Sequence, residues 1–352
     1  MKILKKVSLL FVLISIFIYV LSRNYIPQTI AVEGEEIKVS DVQVIPVGEI
    51  IGIKLYTTGV LVVGTSAVED ENGKMCKPFE NTKIQEGDSI IAINEKIVNN
   101  TNELIEAINT SQGNSIEVTY TRDQEEQKCE ITPVKEKDNN YKIGLWVRDS
   151  AAGVGTLTFY NEQTESFAAL GHGITDIDTG DIINTSSGEI DGVSIVSIVK
   201  GEKEEPGKIQ GTLIKDSTIG NVYKNTKYGI YGIIKNKSNI ELDYSKRMYV
   251  ADRQEIRLGE AKIISNVEGQ PKEYNIEIKR IYLNNSYDNK SMLIKVTDEE
   301  LLKKTGGIVQ GMSGSPIIQN GKFVGAVTHV LINDPTAGYG VFADKMIQEL
   351  SK

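Results

Sequence analysis

The chain has 352 residues, of which 40% are hydrophobic, with 32 glycines and 8 prolines. This composition is typical of a globular protein and excludes a disordered chain. Its 39 basic and 48 acidic residues give a formal net charge of -9, so the basic footprint of a nucleic-acid-binding protein is absent. At about 100–200 residues per domain, the length predicts two domains rather than one.

The N-terminus carries the pattern of an export signal. Three lysines among the first six residues precede an apolar run, Val7–Leu21. Such a run after positive charges is typical of a signal peptide or a signal anchor, although it is shorter than the roughly 20 residues that span a membrane comfortably. Because no small-x-small cleavage site follows, we predict a retained transmembrane anchor helix over 1–23, with its lysines in the cytoplasm and the remainder exported. A linker is predicted over 24–41.

A compact α+β unit is predicted over 42–135. Short valine-rich strands begin it, and Leu104, Ile105 and Ile108 lie at helical spacing further along. The segment Gly87–Asn94, with the sequence GDSIIAIN, resembles a signature of bacterial PDZ domains. The alternative is a generic small α+β domain.

The resemblance to a PDZ domain implies a peptide-binding groove. Its carboxylate-binding loop and peptide-pairing strand resemble the segment Gly52, Ile53, Lys54 and Leu55. In that recognition mode, backbone N–H groups bind a terminal carboxylate and the strand edge pairs with an extended peptide. The sequence leaves open whether the peptide is a partner's tail or the chain's own N-terminal segment.

The remainder of the chain, 138–352, is predicted to be a second domain that is rich in β-strands. Glycine and asparagine turns separate its β-branched or alternating runs at short intervals, which predicts a β-sandwich or a β-barrel. The clearest runs are Ile190–Val199, Ile256–Ile264, Tyr274–Leu283 and Ser291–Val296.

A candidate nucleophile lies near the end of this second domain. The segment Gly306–Ile318 contains Gly-x-Ser-Gly-x-Pro, the pattern around the nucleophile of chymotrypsin-like proteases, and predicts Ser313 in that role. The N–H groups of Gly311 and Ser313 can converge in such a turn as an oxyanion hole. Ser315 is the alternative nucleophile, but it would misplace the preceding glycine. The alternative without a catalytic role is an ordinary glycine-rich hairpin between core strands.

The chain contains two histidines, His172 and His329. His172 lies between two glycines and precedes Ser313 in the chain, as the base does in the chymotrypsin family, so we predict His172 as the general base. His329 is the alternative base, and its nearness to Ser313 also suits a substrate contact. In chymotrypsin-like enzymes the strand after the nucleophile pairs with substrate, and its equivalent here comprises Ala326, Val327 and Thr328.

Taken together, the anchor, the PDZ-like unit and the segments GHGITD and GGIVQGMSGSPII resemble the stage IV sporulation protein B peptidases of endospore-forming bacteria. The resemblance covers nearly the whole chain. It implies a mainly β fold, in which a small α+β PDZ domain precedes a chymotrypsin-like double β-barrel serine endopeptidase. It also implies Asp298 as the acid of the triad, although Asp298 suits a helix N-cap as well. Asp176 and Asp178, near the base in sequence, are the alternatives.

The same resemblance implies partners and a location. The peptidase would cleave itself and a membrane-bound regulator, stage IV sporulation protein FA, and so trigger intramembrane processing of the sigma-K precursor. Its anchor would lie in the forespore membrane and its body in the intermembrane space. A non-catalytic, membrane-anchored PDZ adaptor is the alternative of a different class. A protease of the HtrA type is disfavoured, because there the peptidase precedes the PDZ domain.

No cofactor or metal is predicted. Two histidines without HExxH-type spacing argue against a catalytic zinc site. The cysteines, Cys76 and Cys129, could pair in an exported protein, and the sequence does not decide between a disulfide and two free thiols.

Overall fold

The computed structural model describes residues 29–32, 35–123, 125–283 and 289–350. The predicted anchor over 1–23 lies outside them. Within the described ranges, no helix is long and apolar enough to cross a membrane. The described part of the predicted linker contains a two-stranded hairpin, in which Thr29–Val32 pairs with Glu35–Lys38.

The fold is mainly β. The α-helices of the described residues are α1 (Thr101–Thr110), α2 (Glu299–Thr305) and α3 (Ala343–Leu350). Short 3-10 helices lie at Val39–Asp41, Lys237–Asn239, Tyr244–Lys246 and Arg253–Glu255. The first strands are β1 (Thr29–Val32), β2 (Glu35–Lys38), β3 (Gln43–Thr65), β4 (Val68–Glu69), β5 (Met75–Cys76), β6 (Ser89–Ile93), β7 (Lys96–Ile97), β8 (Ile116–Arg122), β9 (Glu125–Ile131), β10 (Val134–Lys135) and β11 (Tyr141–Lys142). The later strands are β12 (Leu145–Asn161), β13 (Ser166–Ala169), β14 (Thr185–Val199), β15 (Lys208–Thr226), β16 (Gly229–Ile234), β17 (Met248–Tyr249), β18 (Gly259–Ser265), β19 (Lys272–Ile281), β20 (Met292–Val296), β21 (Pro316–Gln319), β22 (Lys322–Leu331) and β23 (Asp334–Phe342).

A first set of six strands closes into a ring through its pairings. Strand β3 pairs antiparallel with both β12 and β14, and the circuit continues from β14 through β15, β16 and β13 back to β12. Buried apolar side chains from these strands pack together, among them Ile51, Leu55, Leu157 and Phe167. This ring, called the first ring below, supplies the segment that carries His172.

A second set of six strands forms a closed barrel, in the order β18-β19-β20-β23-β22-β21. Its core includes the buried side chains of Ile263, Ile294 and Phe342. Helix α2 connects β20 to the nucleophile segment and ends at Gly306, which adopts the left-handed conformation (φ 75°) that favours glycine at a helix C-terminus. The chain then turns through Ser313 into β21, so the second barrel positions the predicted nucleophile.

The PDZ-like unit is a sheet built on the end of β3. Its strands follow the order β3-β6-β8-β9, and α1 packs Leu104 and Ile108 against the same core as Val62. Asp88, from the GDSIIAIN segment, is fully buried and pairs with Arg122 at 2.7 Å. Because a buried carboxylate requires a partner, this ion pair explains the aspartate of that signature.

The boundaries of the two units differ from the predicted 42–135 and 138–352. The first part of β3 pairs with β12 and β14 within the first ring, and only its last residues join β6. In return, the first residues of β12, Leu145–Arg148, pair with the PDZ end of β3. Two long strands therefore run through both units. Local sequence patterns did not reveal this because strand pairing joins residues that are distant in the chain.

Candidate active site

A cleft of about 540 Å3 opens between the first ring and the second barrel. The first ring contributes His172 and the backbone of β12 around Gly153, and the second barrel contributes Gly311, Ser313 and His329. The predicted nucleophile, base and oxyanion-hole glycine thus line the same cleft, although they come from opposite sides of it.

Ser313 lies in a tight turn that precedes β21. Its hydroxyl donates a hydrogen bond to the carbonyl oxygen of Thr328 at 2.7 Å. Ser315, the alternative nucleophile, is fully buried, does not line the cleft, and its hydroxyl has no partner among the described residues. Of the two serines, only Ser313 has access to a substrate.

The backbone around Ser313 leaves two N–H groups unpaired. The carbonyl oxygen of Gln310 accepts from Ile209 N–H at 2.9 Å, and the carbonyl oxygen of Met312 accepts from Ser315 N–H at 2.9 Å. In a trans peptide the N–H and the carbonyl point in opposite directions. A hydrogen bond that fixes the carbonyl of one residue therefore directs the N–H of the next residue to the opposite side. Those following residues are Gly311 and Ser313, and neither N–H donates to a protein acceptor in the described part of the chain. Two such donors suit a developing oxyanion.

His172 has a defined tautomer. Its Nδ1 lies 2.9 Å from the carbonyl oxygen of Gly173, and since a carbonyl can only accept, Nδ1 carries the proton. Nε2 is then free to accept a proton from a nucleophile. Burial lowers the pKa of His172, and the bond to Gly173 opposes this only in part. The imidazole is therefore neutral, as a general base must be, into mildly acidic conditions.

His329 lies beside His172 at the rim of the cleft. The two ring centroids are 5.0 Å apart, with a 35° angle between the ring planes. Although the residue is partly exposed, burial of its ring lowers the pKa of His329 to about 4, with further contributions from repulsion by His172 in its charged form and by Lys290. His329 is thus a neutral neighbour of the base.

Asp298 is not brought to this cleft. Its carboxylate caps α2, accepting from the N–H groups of Glu300 and Leu301 at 3.1 Å each, and it also accepts from Asn275 N–H at 3.2 Å. Asp298 does not line the cleft with His172 and Ser313. In this structure Asp298 does not hold His172; it is the helix N-cap that the sequence allowed as its second role.

The alternative acids have other partners as well. Both Asp176 and Asp178 bind the guanidinium of Arg148, which lies on β12. Burial would raise the pKa of Asp176, but the N–H groups of Thr179 and Asp178 and the charge of Arg148 together hold it below its usual value. These two carboxylates fasten the loop after His172 to β12. Neither accepts from Nδ1 of His172, whose hydrogen-bond partner is the carbonyl oxygen of Gly173.

The predicted substrate strand is corrected in part. Ala326 pairs with Pro316 on one side and Val341 on the other, and Val327 pairs with Gly340 and donates its N–H to Ser315. With both edges occupied, Ala326 and Val327 have no edge for a substrate, so that prediction is wrong for them. Thr328, the last of the three, reaches the site through the carbonyl oxygen that accepts from Ser313.

The predicted peptide groove at Gly52, Ile53, Lys54 and Leu55 is wrong. This segment pairs with β12 on one edge and with β14 on the other, and Ile53 and Leu55 are buried in the first ring. An exposed strand edge, which peptide addition requires, is missing there.

A different groove of about 300 Å3 lies beside α1. Its walls are the apolar face of α1, with Leu104, Ile105 and Ile108, and the segment from Ile143 to Val147. That segment pairs with β3 along one edge only, since β12 meets β13 no earlier than Leu157. The N–H groups of Ile143 and Gly144 donate to no protein acceptor among the described residues.

The cysteines are both free thiols in this structure. Burial, with a further contribution from the charge of Asp88, raises the pKa of Cys129 to about 11. Because the thiolate is the reactive form, Cys129 is an unreactive side chain.

Comparison with protein-family models identifies the family of this chain. A family model for SpoIVB peptidase S55 matches residues 139–347, which is more than half of the chain. The chain belongs to the SpoIVB peptidase S55 family. It is a serine peptidase, and a PDZ domain model matches residues 59–132 of the same chain. The predicted resemblance to this family is confirmed.

Comparison with solved structures found more distant likenesses. The PDZ domain of the SdrC-like protein from Listeria monocytogenes is 21% identical, covers 26% of this chain and 87% of its own, and has a TM-score of 0.21. The active form of the Rv3671c protease from M. tuberculosis is 14% identical, covers 57% of this chain and 74% of its own, and has a TM-score of 0.32. Scores this low support no inference about this chain. No curated protein sequence matches it.

Three features of the site escaped the sequence reasoning. They are the Gly173 carbonyl that orients the base, Thr156 beneath the nucleophile turn, and the groove at Ile143–Val147. The groove had a signal, because Gly144-Leu145, like Gly52-Ile53 of the predicted loop, is a glycine followed by an apolar residue. The Gly173 carbonyl is a backbone group, and the hydroxyl of Thr156 binds the backbone of a residue 155 positions away in the chain, so neither leaves a local sequence pattern.

The lowered pKa of His172 predicts the pH dependence of nucleophile reactivity. A base works in its neutral form, so the rate should fall on acidification only as the pH passes below the ordinary histidine value of 6.5. The measurement is the rate at which a fluorophosphonate probe labels Ser313 across the acidic range. A midpoint at or above 6.5 would contradict the burial of this base.

The capping bonds of Asp298 predict a stability effect. Replacing it in Asp298→Ala should lower the free energy of unfolding by about 1 kcal/mol, because two N–H groups of α2 lose their acceptor. Urea unfolding measures this, with Glu299→Ala in the exposed first turn of the same helix as the matched control. Loss of probe labelling at unchanged stability would contradict the capping role and favour the predicted triad role.

Proposed function

We propose that Ser313 is the nucleophile and His172 the general base of a chymotrypsin-like double β-barrel endopeptidase. The observation that carries the proposal is the single cleft between the first ring and the second barrel, which both side chains line. Ser313 needs an adjacent base because a serine hydroxyl is a weak nucleophile at its own pKa. The unpaired N–H groups of Gly311 and Ser313 form the oxyanion hole.

The reaction begins when the hydroxyl of Ser313 leaves the carbonyl of Thr328 and donates to Nε2 of His172. Its oxygen attacks the scissile carbonyl while His172 takes the proton, and the carbonyl oxygen becomes an oxyanion held by the two N–H groups. His172 then protonates the leaving amine as the C–N bond breaks, which leaves an acyl-enzyme. Water, deprotonated by His172, attacks the acyl carbon, and His172 returns the proton to the oxygen of Ser313 as the second product leaves. Throughout, the carbonyl of Gly173 stabilises the imidazolium through Nδ1–H.

The substrates are proteins, and we place this peptidase in sporulation. It cleaves itself and stage IV sporulation protein FA, and so triggers intramembrane processing of the sigma-K precursor. Its N-terminal anchor lies in the forespore membrane, with the body in the intermembrane space. Membership of the SpoIVB peptidase S55 family supports the pathway, and the lysines before the apolar run Val7–Leu21 support the anchor.

The PDZ unit recruits a peptide to the groove between α1 and Ile143–Val147. The free edge of the first residues of β12 can pair with an extended peptide, and the unpaired N–H groups of Ile143 and Gly144 can bind its terminal carboxylate. The apolar lining beneath, with Leu104 and Ile108, suits an apolar last residue. The ligand is therefore an extended peptide with an apolar C-terminal residue.

The catalytic proposal predicts that Ser313→Ala abolishes cleavage. The full-length chain is incubated in vesicles with stage IV sporulation protein FA, and intact mass records fragments of both proteins and the adduct of a fluorophosphonate probe. Ser315→Ala is the matched control, because it removes a buried hydroxyl that has no partner. Cleavage and one adduct are expected in the wild type and in Ser315→Ala, and neither in Ser313→Ala. Cleavage that survives Ser313→Ala would overturn the assignment of the nucleophile, and an intact regulator beside active self-cleavage would overturn the assigned substrate.

The groove carries its own reporter, because the one tryptophan of the chain, Trp146, lies on it and is 63% exposed. A short peptide that ends in valine with a free carboxylate should shift the emission of Trp146, whereas its C-terminal amide should bind at least tenfold more weakly. Ile105→Glu, in the groove, should abolish the shift. Ile97→Glu is the control, since Ile97 is also exposed but lies outside the groove. Equal binding by both variants would contradict this location.

A further inference from the structure

Thr156 of β12 lies directly beneath the nucleophile turn. It is fully buried, its hydroxyl donates to the carbonyl oxygen of Gly311 at 2.7 Å, and its N–H donates to the carbonyl oxygen of Ser313 at 2.9 Å. One residue of the first ring therefore holds two residues of the turn on the second barrel, and both belong to the proposed catalytic machinery.

The third polar group of Thr156 points to the base. Its carbonyl oxygen accepts from the N–H of Leu170 at 3.2 Å, and Leu170 lies two residues before His172. All three hydrogen-bonding groups of Thr156 thus go to the nucleophile turn or to the segment that carries the base.

Gly314 shows how closely the turn approaches this anchor. A Cβ added at Gly314 would lie 2.1 Å from the carbonyl oxygen of Thr156 and 2.6 Å from the nitrogen of Leu170, and its φ is +97°. No larger residue fits there without displacing the backbone. The turn is therefore seated on β12 with no space between them, so that a displacement at Thr156 reaches the turn directly.

We propose that Thr156 is a positioning residue that sets the oxyanion hole, an inference that rests on the proposed function. The peptide before Gly311 is fixed by the bond from Ile209 N–H to the carbonyl oxygen of Gln310. The peptide after Gly311 is held at both ends, because its carbonyl oxygen accepts from the hydroxyl of Thr156 and its N–H, that of Met312, donates to the carbonyl oxygen of Val309 at 3.0 Å. With both neighbouring peptides held, the N–H of Gly311 has one direction. Without the hydroxyl, the Gly311 carbonyl becomes a buried acceptor with no partner. Only the bond from Met312 N–H to Val309 then holds this peptide, so the turn loses one of its two restraints beside Gly311.

Such a residue acts on the reaction step more than on ground-state binding. Donors of an oxyanion hole act where charge develops, so their misalignment lowers the rate of the chemical step. Removing one donor outright costs about 100- to 1,000-fold. Misaligning one through Thr156 should cost less, about 10- to 100-fold, and leave the affinity for a probe nearly unchanged.

The test uses three variants of the full-length chain. Thr156→Val replaces the hydroxyl with a methyl group of similar size, and Thr156→Ser restores a hydroxyl. Thr158→Val is the matched control, because Thr158 is also fully buried on β12 and its hydroxyl has no partner. Fluorophosphonate labelling of Ser313, followed against probe concentration, separates the maximal rate from the affinity, and thermal melting reports stability.

Thr156→Val should lower the maximal labelling rate by about 10- to 100-fold at nearly unchanged affinity, and Thr156→Ser and Thr158→Val should label like the wild type. Equal rates in Thr156→Val and Thr158→Val would overturn the proposal, as would failure of Thr156→Ser to restore the rate. A lower melting temperature with an unchanged rate would show a structural role only, and would also overturn it.

Amide hydrogen exchange of the segment 309–315 gives a readout that does not depend on catalysis. Thr156→Val should accelerate exchange there, and Thr158→Val should not. If the wild type is not labelled at Ser313, the proposed nucleophile is wrong, and exchange still decides whether Thr156 orders the turn. Equal exchange in the two variants would overturn the positioning role.

Discussion

The pairing of β12 with β3 is the interaction on which the rest of this structure depends. It runs from Leu145 opposite Thr65 to Tyr160 opposite Ile45. Along this one strand, the first residues border the groove beside α1, the middle residues line the cleft, and Thr156 holds the turn that contains Ser313. Because side chains in a strand alternate between faces, a shift of one residue in the pairing register would move each of these side chains to the opposite face of the sheet.

Arg148 adds an electrostatic link between the same regions. It lies at the end of the groove segment of β12 and binds Asp176 and Asp178 in the loop after His172. The side chain of Asp176 is 1% exposed, and a buried carboxylate that loses its cation is strongly destabilising. The loop after His172 is therefore fastened to β12, the strand that also borders the groove beside α1.

The local motifs predicted most of what lies in the cleft. The tight turn around Ser313 and the glycines beside His172 depend on neighbours in sequence, so the pattern was sufficient to place both side chains at one site. The peptide groove and the substrate edge were misplaced, because which edge of a strand is free depends on partners far away in the chain. Asp298 was ambiguous for a related reason, since an aspartate before a helix satisfies both a cap and a family motif.

The central claim is that Ser313, His172 and the two unpaired N–H groups act together in the cleft between the first ring and the second barrel. The crystal structure of the peptidase after reaction with a fluorophosphonate tests it most directly. The account predicts phosphorus bonded to Ser313, one phosphonyl oxygen about 2.7–3.1 Å from the nitrogens of both Gly311 and Ser313, and Nε2 of His172 facing the bonded oxygen. An adduct on another residue, or a phosphonyl group that contacts neither N–H, would contradict it.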